Sequence, residues 1–152
     1  MAIRRNGAKR GRPCAYCGSE AAQTVDHVLS KALYPTSKAG SRIPRITVPA
    51  CKACNGSWVD DEPHFRNVML VAGEPNALVR ELWEGKTRRS FEQPDGRRRA
   101  RDLTEHMEPV ETPEGPRHLI YPARDERVLR IVRKVVRGLC HHHELISPVG
   151  DD

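Results

Sequence analysis

Residues 14–17 read Cys-Ala-Tyr-Cys, residues 25–28 read Val-Asp-His-Val and residues 51–55 read Cys-Lys-Ala-Cys-Asn, and these three stretches decide the fold. Two cysteines separated by two residues can turn both sulfurs toward one tetrahedral metal at about 2.3 Å. Cys14 with Cys17 and Cys51 with Cys54 therefore make two halves of one shell. A shell closed by four sulfurs has no open position for water or substrate, so the expected ion is a structural zinc. Its role is to pin a polar loop and a short helix in a chain with little apolar material, which makes metal binding part of folding.

The composition agrees with a lean, metal-supported domain carrying an appendage. Of the 152 residues, 38% are hydrophobic and 30% charged, which leaves a small core. The net charge of +6 favours a polyanionic partner, because Lys and Arg gain free energy by releasing counterions condensed on phosphates. Nucleic acid, DNA first, is the expected partner. No apolar run approaches the roughly 20 residues that span a bilayer, and no signal-peptide core follows the N-terminal arginines. The expectation is a cytoplasmic protein with no membrane association, in a reducing setting where paired cysteines serve metals more often than disulfides. Cys140 stands apart as a lone thiol near a helix end.

Four segments are expected: a flexible basic arm over residues 1–12, a zinc module over 13–65, a helical and basic extension packing on it over 66–147, and a tail over 148–152. Inside the module, residues 23–28 and 45–50 read as strands, with a polar loop between them. Residues 51–59 read as a helix that the run Asp60-Asp61-Glu62-Pro63 stops. Short helical pieces are expected over 65–71 and 77–83, a hairpin turn at Pro94-Asp95-Gly96, and strands over 105–110 and 117–121. In the last element Val128, Ile131, Val132, Val135, Val136 and Leu139 recur at helical spacing, with Arg130, Arg133, Lys134 and Arg137 on the other face.

Zinc alone is not a function, since many such modules only bind nucleic acid or protein. Asp26-His27 at a strand end adds chemistry, because neighbouring strand side chains point to opposite faces and serve different partners. Asp26 can hold a metal while His27 faces a substrate, and the amide oxygen of Asn55 can meet the same cation from the first turn of the helix. Arg88, Arg89, Arg97, Arg98 and Arg99, with Arg101, fit a phosphate-gripping hairpin, although charged surface is common. Trp58 reads as packing over the zinc module. His141, His142 and His143 suit a helix end better than a metal, and His106 and His118 have no partner in sequence.

Together these residues resemble a zinc-containing HNH endonuclease of the ββα-metal class, over about a third of the chain. The fold implied is α+β, a zinc-braced ββα module with a helical and basic extension. The resemblance makes His27 the general base that activates water, gives Asp26 and Asn55 a divalent cation (Mg²⁺, Mn²⁺ or Ni²⁺), and gives the four cysteines the zinc. The activity implied is metal-dependent hydrolysis of phosphodiester bonds by an endonuclease. The chain departs from the family at Arg45-Ile46-Thr47, where the middle asparagine is missing and either Thr47 or nothing stands in for it. A further cation ligand would come from Asp60, Asp61, Glu62 or His64, or that run is a solvated helix stop. The alternatives are a non-catalytic zinc module that binds nucleic acid and a zinc domain that binds protein.

Overall fold

The computed structural model describes residues 11–18, 21–35, 43–72, 76–120 and 122–145. Along them run β1 (Thr24–His27), β2 (Thr47–Ala50), α1 (Lys52–Gly56), α2 (Asp61–Ala72), α3 (Ala77–Leu82), α4 (Arg88–Phe91), α5 (Gly96–Thr104), β3 (Met107–Thr112), β4 (Gly115–Ile120) and α6 (Glu126–His142). The fold is mixed α and β with two small antiparallel sheets, β1–β2 and β3–β4. No described helix is long and apolar enough to cross a membrane. The chain divides into two compact units. One holds Met1–Lys31, Pro44–Asp60 and Ile131–Asp152, and the other holds Ala32–Ile43 and Asp61–Arg130. Residues 61–65 thus fall outside the first unit and residues 131–147 inside it. Residues 1–10 of the expected basic arm and the expected tail lie outside the described residues.

In the first unit, four-residue strands pair so that Thr24 opposes Ala50, Asp26 opposes Val48 and His27 opposes Thr47. Both strands are shorter than expected. The first cysteine pair is tied to this ribbon, because the Ala15 N–H donates to the Pro49 carbonyl at 2.9 Å. Gly18 closes the Cys14–Cys17 turn by donating its N–H to the Cys14 carbonyl at 2.9 Å, and its φ of 69° is left-handed backbone that glycine adopts without strain. The core is small: Cys14, Ala15, Tyr16, Val28, Val48, Ala50 and Cys51 are buried, with Ile46, Cys54, Val135 and Leu139 packed against them.

Helix α6 corrects the face read from its pattern. Ile131 and Lys134 are buried at 3% and 1% exposure, whereas Val132 and Val136 are exposed at 42% and 45%. Positions 131, 134, 135 and 138 share one stripe at 3.6-residue spacing, and 132 and 136 fall beside it. The stripe passes close to β1: a Cβ built on Gly138 would stand 2.7 Å from Cγ2 of Val28, so only glycine lets the helix lie at this depth.

Beyond β2 the chain departs further from expectation. Helix α1 ends at Gly56 with Ser57 as its cap, and the acidic run opens α2 instead of stopping α1. Asp61 and Glu62 complement the positive end of the helix dipole there, and Pro63 is tolerated because first-turn N–H groups lack intrahelical partners. Pro94-Asp95-Gly96 joins two helices and is not a hairpin. A Cβ on Gly96 would lie 1.7 Å from the Phe91 carbonyl oxygen, so the tight α4–α5 turn requires glycine. The arginine run therefore winds into α5. The β3–β4 hairpin forms near its expected place, turning at Gly115 with a φ of 110°.

A partly buried network of hydrogen bonds and ion pairs centred on His64 and Asp125 runs through the second unit. His64 places Nε2 2.5 Å from Asp125 and Nδ1 3.2 Å from Asp102, while Arg127 grips Asp102 with both terminal nitrogens at 2.8 and 3.0 Å. His106 joins at 3.4 Å from Asp125, so neither it nor His64 lacks a partner. Burial pushes the Asp125 carboxyl up, but the hydrogen bond and charge of His64 and the contacts of Arg127 outweigh it and hold the group below its ordinary value. Arg127 likewise holds Asp102 down against its desolvation. A carboxylate whose folded pKa is depressed adds stability above its unfolded value of about 3.9, and that stability is lost as pH falls through the folded value. Melting temperatures measured by circular dichroism should therefore drop below about pH 4, and Asp125→Asn should lower the melt at neutral pH while flattening that acid dependence. An unchanged acid profile in the variant would contradict the assignment.

Candidate metal centre and the strand beside it

The sequence places its four paired cysteines on two turns, and the fold brings the turns together. The four Sγ atoms lie within 4.8 Å of one another, and Cys17 and Cys51 approach to 4.0 Å. A tetrahedron of sulfurs at about 2.3 Å from zinc has edges of about 3.8 Å, so the cluster is close to metal-ready. All four cysteines are free of disulfides. Cys51 also caps α1, accepting the Cys54 N–H at 3.4 Å, so the positive end of a helix meets a sulfur. Burial, then the thiols of Cys51 and Cys17, push the Cys54 thiol upward. Four sulfurs this close ionise together when a cation shares their charge, which is the chemistry of a structural zinc or a similar metal.

Tyr16 and Trp58 pack edge to face at 5.9 Å, as expected for a tryptophan lying over the module. The indole Nε1 of Trp58 is buried and lacks a hydrogen-bond partner among the described residues. Trp58→Phe should therefore change the unfolding free energy of the zinc-loaded protein, measured by denaturant titration, by less than about 1 kcal/mol, because it removes a desolvated donor along with some contact area. A loss of several times that size would reveal a partner for the indole N–H.

Beside the cluster, the three residues singled out on chemical grounds meet different neighbours. Asp26 is buried, and its Oδ2 accepts the Tyr16 hydroxyl at 2.7 Å and lies 3.0 Å from the Lys134 ammonium. Asn55 donates its amide N–H to Thr24 Oγ1 at 3.1 Å, and Thr24 in turn donates to the Ala50 carbonyl at 2.7 Å. Thr24 and Asp26 lie two residues apart on β1, so their side chains share one face of the strand, and the two expected cation ligands meet different partners there. The Oδ2 of Asp26, already paired with the buried Lys134 ammonium, is a poor ligand for a divalent cation, whereas Asn55 engages the nitrogen of its amide and not the oxygen expected to meet the cation. Among the other candidates, Asp61 pairs with Arg130 at 3.0 Å and His64 belongs to the buried network, while Asp60 is exposed.

His27 is half-buried, and Thr47 stands opposite it in the register. Desolvation lowers its pKa first. The positive charges of Lys31, Arg45 and Lys134 lower it further, against an upward pull from Asp26. Burial and these neighbouring cations thus favour the uncharged form of the ring. In the other unit Arg88, Arg89, Arg97 and Arg98 are exposed, whereas Arg99 turns inward and donates to the Ser90 carbonyl at 2.5 Å. Lys134 is the site residue that sequence reading missed, and its place in the stripe of Ile131 and Gly138 was the available signal. No family model matches the chain, and neither a curated protein nor a solved structure matches it.

Proposed function

We propose that this chain hydrolyses phosphodiester bonds of nucleic acid, DNA first, with His27 as general base on a strand braced by a structural zinc. The observation that carries this reading is the half-buried imidazole of His27 on β1, next to Asp26 and opposite Thr47, where burial and then the charges of Lys31, Arg45 and Lys134 lower its pKa. A neutral imidazole can take a proton from water as the water oxygen attacks phosphorus and the 3′ oxygen departs. The exposed Lys31 and Arg45 suit the phosphate oxygens, where negative charge grows as the bond to water forms. The exposed arginines of α4 and α5 add sequence-independent affinity for a polyanion.

A second reading is favoured by one observation, the engagement of Asp26 with Tyr16 and Lys134: a zinc module that binds nucleic acid without cutting it. Incubating zinc-loaded protein with supercoiled plasmid, next to His27→Ala and with a gel-shift assay in parallel, separates the two. Nicking by the wild type and intact binding without nicking by the variant support the hydrolase. Binding by both with nicking by neither supports the second reading.

A further inference from the structure

We infer that Lys134 is a built-in cation that occupies Asp26 where an exchangeable divalent ion would otherwise be expected, so that this centre does not take up that ion. The inference deepens the hydrolase reading and rests on it for its functional meaning. Lys134 is 1% exposed and its Nζ lies 3.0 Å from Asp26 Oδ2, the oxygen that also accepts Tyr16. A surface lysine could swing away from an arriving metal, but a side chain enclosed by the core keeps its charge in place. A divalent ion bound through this carboxylate would then face a like charge within a few ångströms in a poorly solvated setting.

The position of Lys134 is set by the backbone. Gly138, one turn further along α6, lets the helix lie against Val28, next to His27. The same close approach brings Lys134 to Asp26, one residue before His27 on β1. The other charged groups that act on His27, Lys31 and Arg45, are also cations, so the neighbourhood as a whole disfavours a further positive ion.

The test uses Mn²⁺ alone as the probe, followed by electron paramagnetic resonance on the zinc-loaded full chain. Wild type should bind no Mn²⁺ that Asp26→Asn removes, and Lys134→Met should gain Asp26-dependent binding at least about tenfold tighter. In divalent-free buffer, with zinc content verified, nicking by the wild type should be unchanged when Mg²⁺ or Mn²⁺ is added. Asp26-dependent Mn²⁺ binding by the wild type would overturn the inference, and so would a folded Lys134→Met that gains none. If Lys134→Met does not fold, the wild type against Asp26→Asn still decides. Failure of the hydrolase reading is recognised separately, as absence of nicking with or without divalent ions, because the Mn²⁺ readout needs no turnover.

Discussion

Substituting serine for Cys51 is expected to cost the unit that carries the four cysteines its fold, with stripping of bound metal by a strong chelator giving the same result. Cys51 is 2% exposed, its sulfur caps α1, and it packs in the core with Val48 and Ala50. Serine offers zinc a far poorer ligand and places a hydroxyl among apolar neighbours. Structural zinc supplies about 10–16 kcal/mol in small zinc-dependent peptides, comparable with the about 5–15 kcal/mol that keeps a whole domain folded. So small a core cannot absorb the loss of even part of that contribution. The Tyr16–Trp58 pair provides the readout: near-ultraviolet circular dichroism should lose the part of its aromatic signal that this pair contributes, and zinc should fall below stoichiometric content in the variant. A variant that melts like the wild type would contradict this.

Replacing His27 with alanine should reduce plasmid nicking by about 10²–10⁴-fold, the usual contribution of a well-placed general base. The ring is half-buried on a short strand and is not among the core residues, so the melt should change little. The pH profile is a second check. General-base chemistry requires the neutral ring. Because burial and then Lys31 lower the His27 pKa from 6.5, the neutral form persists to lower pH than in an ordinary histidine. The rate kcat/KM should rise with pH through a midpoint below 6.5 and stay flat above it. A midpoint above that value, or a variant that nicks as fast as the wild type, would remove His27 from the chemistry.

Much of the first unit was legible because its signals are local. A two-residue gap between cysteines fixes a turn, the alternation through Val25-Asp26-His27 fixes a strand, and Asn55 follows a cysteine on the helix that Cys51 caps. What was not legible depends on distant partners. Lys134 reads as solvent-facing until Asp26 is placed beside it, since a buried lysine is tolerated only with its counter-charge. His64, Asp102, Asp125 and Arg127 are spread over three stretches of chain, and no spacing rule links them. The run Pro94-Asp95-Gly96 carries hairpin chemistry and a helix-to-helix turn equally well. The close Gly96–Phe91 approach that decides between them is a tertiary fact.

Everything placed near His27 depends on the four sulfurs meeting at one metal. X-ray absorption at the zinc edge of the purified chain, together with its metal content, tests this most directly. The expected result is a single zinc per chain with a shell of sulfur at about 2.3 Å. A shell containing nitrogen or oxygen, a second zinc, or a chain that folds without metal would contradict it.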